Sequence, residues 1–268
     1  MKISRSLKIC ILLITLLSII GFLAEWISPY DPLNTRMFKG LQQPNSVNLM
    51  GTDQLGRDVF SWVIYGIRTS LIVGLISSTI STVIATIIGL IAGYKGGLLG
   101  NILMRITDAF LSIPRFMLII VTVVLLTPRI SNIIVVIALF SWPEAARVIR
   151  SETLSIKERE YIQAAKVIGL RDLDIMLSEV MPNIMPSILS LWTLVIGEAI
   201  LTEASLGFLG FSDSNFPSLG TMLMMARSAI FVGGWWVLLY PSIMIVILIL
   251  VFNMLSDKLI ESLSPKLG

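Results

Sequence analysis

Six long apolar runs, separated by polar stretches, dominate the hydrophobic pattern of this chain. The runs cover residues of about 9–26, 71–94, 106–126, 130–149, 186–206 and 235–255. A helix needs about 20 mostly apolar residues to cross a bilayer. The pattern therefore predicts an all-α, polytopic membrane protein with six transmembrane helices, built as a single transmembrane domain over residues 1–268.

Three polar stretches between these runs predict the loops. Residues 27–70 and 207–234 are expected to form two loops on one side of the membrane. The most charged stretch, Arg147 to Asn183, falls on the other side, and the loop that it contains is predicted at 150–183.

This charged stretch has the pattern of a helix, a glycine corner and a second helix. Gln163-Ala164-Ala165 favours a helix with little side-chain bulk, which Gly169 would end as a left-handed cap. Asp172 is expected to begin the next helix and Pro182 to close it. From these residues alone, the stretch is either an ordinary solvated loop or a docking element for a soluble partner.

Composition agrees with a membrane protein and excludes several kinds of site. The chain is 55% hydrophobic and 14% charged, whereas soluble domains have about 25% charged residues. It has no His and a single cysteine, Cys10, so neither an internal disulfide nor a His/Cys zinc site is expected. The basic residues lie beside the apolar runs, so the net charge of +3 does not indicate nucleic-acid binding. No catalytic residue and no metal ligand is assigned.

The basic start of the chain leaves two interpretations of the first run. Lys2, Arg5 and Lys8 precede it, as in a signal peptide, but Glu25-Trp26 follows with no A-x-A-like cleavage site. The residues favour an uncleaved first span, with Trp26 at the membrane interface.

The distribution of Lys and Arg predicts the orientation. With six spans, both termini and the charged stretch share one side, which holds fourteen of the 20 basic residues. Cytoplasmic loops carry an excess of Lys and Arg. The charged stretch and both termini are therefore predicted to be cytoplasmic.

Two carboxylates fall within the fifth run. Glu198 lies at mid-depth, where a charge costs roughly 3 kcal/mol on insertion scales and must face protein or water; Glu203 lies nearer the outer end. Either they line a translocation path, or Glu198 makes a helix–helix hydrogen bond as a protonated acid. In the third run, Pro114 predicts a kink, and Arg105 and Asp108 are expected to pair.

The charged stretch resembles the cytoplasmic EAA loop of ABC importer permeases. That motif reads E-A-A, three residues, Gly, nine residues, then I-x-L-P, and Gln163-Ala164-Ala165, Gly169 and Pro182 fall at this spacing. Glu144-Ala145-Ala146 is a decoy, because Arg150 occupies its glycine position. The chain departs from the motif at Gln163, Glu179 and Met181.

Further motifs are similar to those of the dipeptide, oligopeptide and nickel permeases, in the C-subunit group. The segment Gly51-Thr52-Asp53 with Gly56-Arg57-Asp58 resembles GTDxxGRD, and turn-forming structure is its default interpretation from the residues alone. It lacks the spacing of a phosphate loop. Residues 203–210, 217–220 and 252–257 resemble E-x-x-L-S-F-L-G, P-x-W-G and F-N-x-x-x-D, and the closing D-P is altered to Ser264-Pro265.

The resemblance implies a permease subunit of the plasma membrane. Its implied partners, besides the lipid bilayer, are a second homologous permease, two cytoplasmic ATPases that bind ATP and Mg²⁺, and an extracytoplasmic binding protein; this chain would bind no cofactor and hydrolyse no ATP. The residues implied to contact the ATPase are Gln163, Ala164, Ala165, Gly169, Leu170 and Pro182.

The substrate stays open at this point. Peptides and nickel or metal-chelator complexes are all implied by the resemblance, with peptides favoured. A secondary transporter would require paired intramembrane charges or inverted repeats, and a membrane enzyme would require clustered catalytic groups; the sequence offers neither.

Overall fold

The structure, a computed structural model, describes residues 5–263, with side chains for residues 7–261. Lys2 and Ser264-Pro265, and with them both termini, lie outside the described residues. The helices are α1 Arg5–Phe22, α2 Ala24–Ile27, α3 Val59–Lys95, α4 Gly97–Leu111, α5 Arg115–Leu126, α6 Ile130–Lys157, α7 Glu160–Val167, α8 Asp172–Asp174, a π-helical turn Ile175–Val180, α9 Met181–Phe208, α10 Leu219–Ala229, a 3₁₀ turn Ile230–Val232 and α11 Trp235–Leu263. The fold is all-α.

Four helices in the described part of the chain are long and apolar enough to cross a membrane: α3, α6, the continuous helix Asp172–Phe208 and α11. The pair α4–α5 would make a fifth span if its two bent halves are counted together. The apolar part of α1, Leu7–Phe22, is shorter. Helix α1 packs against α3 and α11 and buries Cys10 there.

Helix α3 begins twelve residues before the apolar run that predicts it, so residues 59–70, expected in a loop, are helical. Its start is set by Asp58, whose side chain accepts a hydrogen bond from the backbone N–H of Ser61 at 2.8 Å. A carboxylate at this position satisfies a donor that the helix itself leaves unpaired.

The third span is broken rather than kinked. Helices α4 and α5 meet at an angle of 79°, with Pro114 as the N-cap of α5. Because proline disfavours helical geometry in the residue before it, α4 ends at Leu111. Asp108 does not pair with Arg105 as expected; it contacts Arg147 on α6, with Oδ1 2.6 Å from Nη2.

Helices α3, α6 and α9 form the centre of the fold, and small residues of α3 allow the close approach. A Cβ on Gly89 would lie 2.7 Å from the carbonyl oxygen of Ala146, and one on Gly93 would lie 2.6 Å from Cβ of Thr153. On another face of α3, Gly74 faces Ile200 of α9. The small residues of the second predicted span therefore serve packing, as is common between helices in lipid.

The segment 28–58 folds as a compact cover over the ends of α10 and α11. Nε of Arg57 donates to Asp53 at 2.6 Å, both side chains are buried, and the guanidinium stacks 4.1 Å from the ring centroid of Trp62. Gly56 adopts a positive φ of 74°, and any Cβ there would collide with the carbonyl oxygen of Phe38. The Gly51–Asp58 motif therefore builds turns.

Candidate coupling surface and charged groups of the spans

Helix α7 ends at a left-handed glycine, as its sequence predicts. Gly169 has φ +85°; its N–H donates to the carbonyl of Lys166 at 3.0 Å, and the N–H of Leu170 donates to the carbonyl of Ala165 at 3.2 Å. This pair of bonds is the Schellman motif, which satisfies the last carbonyls of a helix. The corner turns the chain sharply between α7 and α8.

Two contacts hold α7 against the helices of the spans, and a third holds the start of α8. Ile162 and Ala165 are buried in a cluster with residues of α3, α6 and α9. Nε2 of Gln163 donates to the carbonyl of Lys157, the last residue of α6, at 2.8 Å. Across the corner, the hydroxyl of Tyr94 on α3 donates to Asp172 at 3.2 Å. The loop is thus attached to α3 and α6.

Pro182 does not close the second helix. It is the second residue of α9 and lies inside the continuous helix Asp172–Phe208, where a proline removes one backbone hydrogen bond and crowds the preceding turn. The preceding turn, Ile175–Val180, is π-helical, and the N–H of Met181 donates to the carbonyl of Met176. The widened turn accommodates the proline, and one helix runs from Asp172 through the membrane to Phe208.

An exposed apolar surface lies on the side of α7 and of the corner that faces away from the spans. Its most exposed residues are Val167 and Ile168, whose exposed fractions are 87% and 76%. This coupling surface consists of Val167, Ile168, Leu170, Leu173 and Leu177. Ala164 and Gln163 are exposed beside it, whereas Ala165 points inward. The sequence pattern does not separate the two alanines, because their directions depend on how α7 packs.

Glu198 forms an ion pair that the sequence analysis does not predict. Its Oε2 lies 2.7 Å from Nη1 of Arg115, the first residue of α5, and both side chains are about one-third exposed. Arg115 lies in the middle of the third run, and it meets Glu198 where α5 begins after the break at Pro114. The two residues are 83 positions apart, which explains why local sequence patterns do not reveal the pair.

Glu203 has a different environment from Glu198. It is 3% exposed, and its carboxyl group accepts hydrogen bonds from Ser218 at 2.6 Å and from Ser70 at 3.2 Å. It joins α9 to α3 and to the start of α10. In this structure, Glu203 is a packing group enclosed by protein, and Glu198 is the more accessible of the two carboxylates.

Comparison with protein families identifies this architecture. The model of the "binding-protein-dependent transport system inner membrane component" family matches residues 85–268, which include the coupling surface and the last three long helices. The chain belongs to this family. It is a permease subunit of an ABC importer and a multi-pass membrane protein.

Relatives extend the match over nearly the whole permease. It is 37% identical over 258 residues to the glutathione transport system permease protein GsiD of Pectobacterium atrosepticum, covering 96% of this chain and 85% of the relative. The GsiD protein of Shigella flexneri serotype 5b is 38% identical over 258 residues, which again cover 96% of this chain and 85% of the relative. The predicted resemblance to ABC importer permeases is confirmed.

A solved structure supports the fold of the permease. The MetNI methionine ABC transporter, in an inward-facing conformation, matches with a TM-score of 0.64 at 19% identity, covering 76% of this chain and 97% of that chain. The permease therefore has the fold of a type I ABC importer permease.

Proposed function

We propose that this permease is one of two membrane-spanning subunits of an ATP-driven importer of small peptides. Its partners are a second homologous permease, two cytoplasmic ATPases that bind and hydrolyse ATP with Mg²⁺, and an extracytoplasmic binding protein. The coupling surface faces the cytoplasm, as do both termini, and the chain resides in the plasma membrane. The permease contributes no ATPase site and no cofactor of its own.

The observation that carries the proposal is the mechanical continuity between the coupling surface and the spans. Helix α7 is bonded to the end of α6, and the helix that follows the corner at Gly169 runs without interruption into α9. A rigid-body movement of an ATPase bound at Val167 and Ile168 would therefore displace α6 and α9 together. Such a displacement rocks one group of helices against another and alternates access to a central path.

Peptides are the substrate class that the available comparisons favour. The two relatives described above are named as glutathione permeases, and glutathione is a tripeptide with free amino and carboxylate groups. Metal-chelator complexes remain the alternative from the sequence motifs, and competing uptake of labelled peptides and nickel chelates distinguishes the two.

Substitution of Val167 tests the coupling surface. We expect Val167→Glu to abolish co-purification of ATPase subunits from detergent-solubilised membranes, because it places a charge in the middle of an apolar contact, while leaving insertion of the permease unchanged. Val167→Ile, which keeps the surface apolar, is the matched control. Retention of stoichiometric ATPase by Val167→Glu would refute docking at this surface. Ala165→Glu is unsuitable, because Ala165 is buried and the change tests folding.

A further inference from the structure

A cavity with a mixed polar and apolar lining opens at the bend between α4 and α5. It has a volume of about 240 Å³, and its wall includes Phe110, Pro114, Arg115, Ser141, Pro143 and Glu144. The break in the third span and the proline in α6 together create this space. Two of the wall residues carry opposite charges.

The two charged residues of the cavity wall, and Glu198 beside it, lie deep in the membrane. At a helical rise of about 1.5 Å per residue, Arg115 is about 17 Å from the outer end of α5, and Glu198 is about 15 Å from the outer end of α9. Glu144 lies about 21 Å from the start of α6 by the same measure. Ionisable groups at this depth face protein or water rather than lipid.

Glu144 and Arg115 differ in how their charges are balanced. Arg115 pairs with Glu198. Glu144 is exposed, and in the described part of the chain it forms neither an ion pair nor a side-chain hydrogen bond; the nearest basic residue on its own helix face, Arg147, is engaged by Asp108. The cavity wall thus carries one unpaired carboxylate, Glu144, and one arginine that is paired with Glu198.

We propose that this cavity is a transit site for zwitterionic peptides, in which Glu144 receives the ammonium group and Arg115 receives the carboxylate. The inference rests on the proposed peptide import and adds the residues and the charges by which the permease accommodates its substrate. Guanidinium groups bind carboxylates through two parallel hydrogen bonds. The substrate carboxylate replaces Glu198 on Arg115, and the ion pair re-forms when the peptide leaves.

The size and the charge balance of the cavity suit passage rather than tight binding. Pockets that enclose drug-sized ligands have volumes of about 300–1,000 Å³, so this cavity holds a dipeptide or one end of a longer peptide. Because one carboxylate replaces another on Arg115, the arginine is never left without a counter-ion. While the peptide is bound, Glu198 is without its partner, and its side chain is about one-third exposed.

Cysteine labelling tests occupancy of the cavity directly. In a Cys10→Ala background, Ser141→Cys places a thiol in the cavity wall, and Ser131→Cys places one on the same helix ten residues away, outside the cavity. The assembled importer, in detergent and without binding protein, is treated with a small cationic methanethiosulfonate. We expect millimolar alanyl-alanine to slow the labelling of Ser141→Cys at least threefold and to leave Ser131→Cys unchanged.

The blocked peptide N-acetyl-alanyl-alanine amide supplies the chemical control. It has the same backbone without either charge, and we expect it to give no protection at Ser141→Cys. Equal protection by the blocked peptide would overturn the recognition of charges. Absence of any labelling, or of any protection, would overturn the transit site itself.

Exchange of the paired charges separates a transit site from a purely structural ion pair. We expect the double variant Arg115→Glu/Glu198→Arg to assemble with the ATPases as the wild type does, because the ion pair is kept with its charges exchanged. We expect it to transport dipeptide at less than one-tenth of the wild-type rate, because the cavity wall then repels the carboxylate. Full rescue of transport would assign the pair to structure alone and overturn the proposal.

These outcomes are distinct from failure of the proposed function. If the wild-type importer assembles with ATPases but transports no peptide, the peptide substrate is wrong, and the transit site falls with it. If the wild type transports peptide and the double variant does so equally well, peptide import stands and only the transit site is rejected.

Discussion

Gly169 determines the direction in which the chain leaves helix α7. Its φ of +85° costs an L-residue with a Cβ about 1–2 kcal/mol, and a Cβ there would meet no neighbouring atom within 4 Å. Backbone conformation, not space, is therefore the constraint at this residue. Gly56, by contrast, is constrained by both.

Substitutions of Gly169 should follow the tolerance of each residue for the left-handed region. We expect ATPase co-purification to decrease in the order Gly169, Gly169→Asn, Gly169→Ala and Gly169→Val, because asparagine visits this conformation most readily among these replacements and β-branched residues do so least. Quantified ATPase recovery at equal permease expression measures the order. If Val were tolerated as well as Asn, the corner would not depend on the left-handed cap.

At the scale of elements, the cover formed by residues 28–58 depends on one buried ion pair. Asp53 accepts hydrogen bonds from the backbone N–H groups of Leu55 and Arg57 as well as from the guanidinium. It therefore stabilises the turn and neutralises Arg57 at once. Residues 28–58 contain turns and no helix, so side-chain contacts of this kind shape the cover.

Neutralising Asp53 should release the cover. We expect Asp53→Asn to cost about 3–5 kcal/mol, the usual cost of leaving one partner of a buried pair uncompensated, and to increase proteolytic cleavage between residues 28 and 58. Asp31→Asn, which removes an exposed carboxylate that also accepts a turn hydrogen bond, is the control. Equal cleavage of both variants would show that the ion pair does not hold the cover.

The elements themselves were predictable to different extents. Apolar periodicity and length predict the long helices, and Gly169 predicts the end of α7. The pattern places the start of this span at Leu71 rather than Val59, because Arg68, Thr69 and Ser70 separate the mostly apolar residues 59–67 from the long run, although Asp58 is a recognisable N-cap. The prediction that Pro182 ends a helix is wrong, because this proline follows a π-helical turn. That turn depends on contacts that the local sequence does not specify.

At the scale of the whole molecule, the ends of the spans and the coupling loop meet at Tyr94. Nζ of Lys166 lies 5.3 Å and Nζ of Lys157 lies 5.6 Å from the centroid of its ring. The ring is buried, and its hydroxyl donates a hydrogen bond to Asp172. One ring on α3 thus touches the end of α6, helix α7 and the start of α8. Tyr94 therefore connects α3, α6, α7 and α8 at one point.

Removing this ring should uncouple ATP hydrolysis from transport. We expect Tyr94→Ala to lower the amount of peptide moved per ATP hydrolysed several-fold in proteoliposomes, because α7 then moves without α3. Tyr94→Phe keeps the ring and the cation–π contacts and should remain close to wild type. An unchanged ratio in Tyr94→Ala would mean that coupling passes through α6 and α9 alone.

The charged centre of the molecule shows where prediction from sequence stops. Glu198 could be recognised from its position within an apolar run, because a mid-depth carboxylate is costly. Its partner could not be, because Arg115 lies 83 positions away and no local pattern relates the two residues. The inward direction of Ala165 is unpredictable for a similar reason, because it depends on packing against distant helices.

The reactivity of Cys10 reports whether α1 is packed against the rest of the permease. It is the single cysteine of the sequence, and it is 1% exposed where α1 lies against its neighbours. A thiol-reactive dye added to the intact protein finds no target in this chain until α1 detaches. The rate of labelling therefore measures how fast the first helix detaches, without any introduced cysteine.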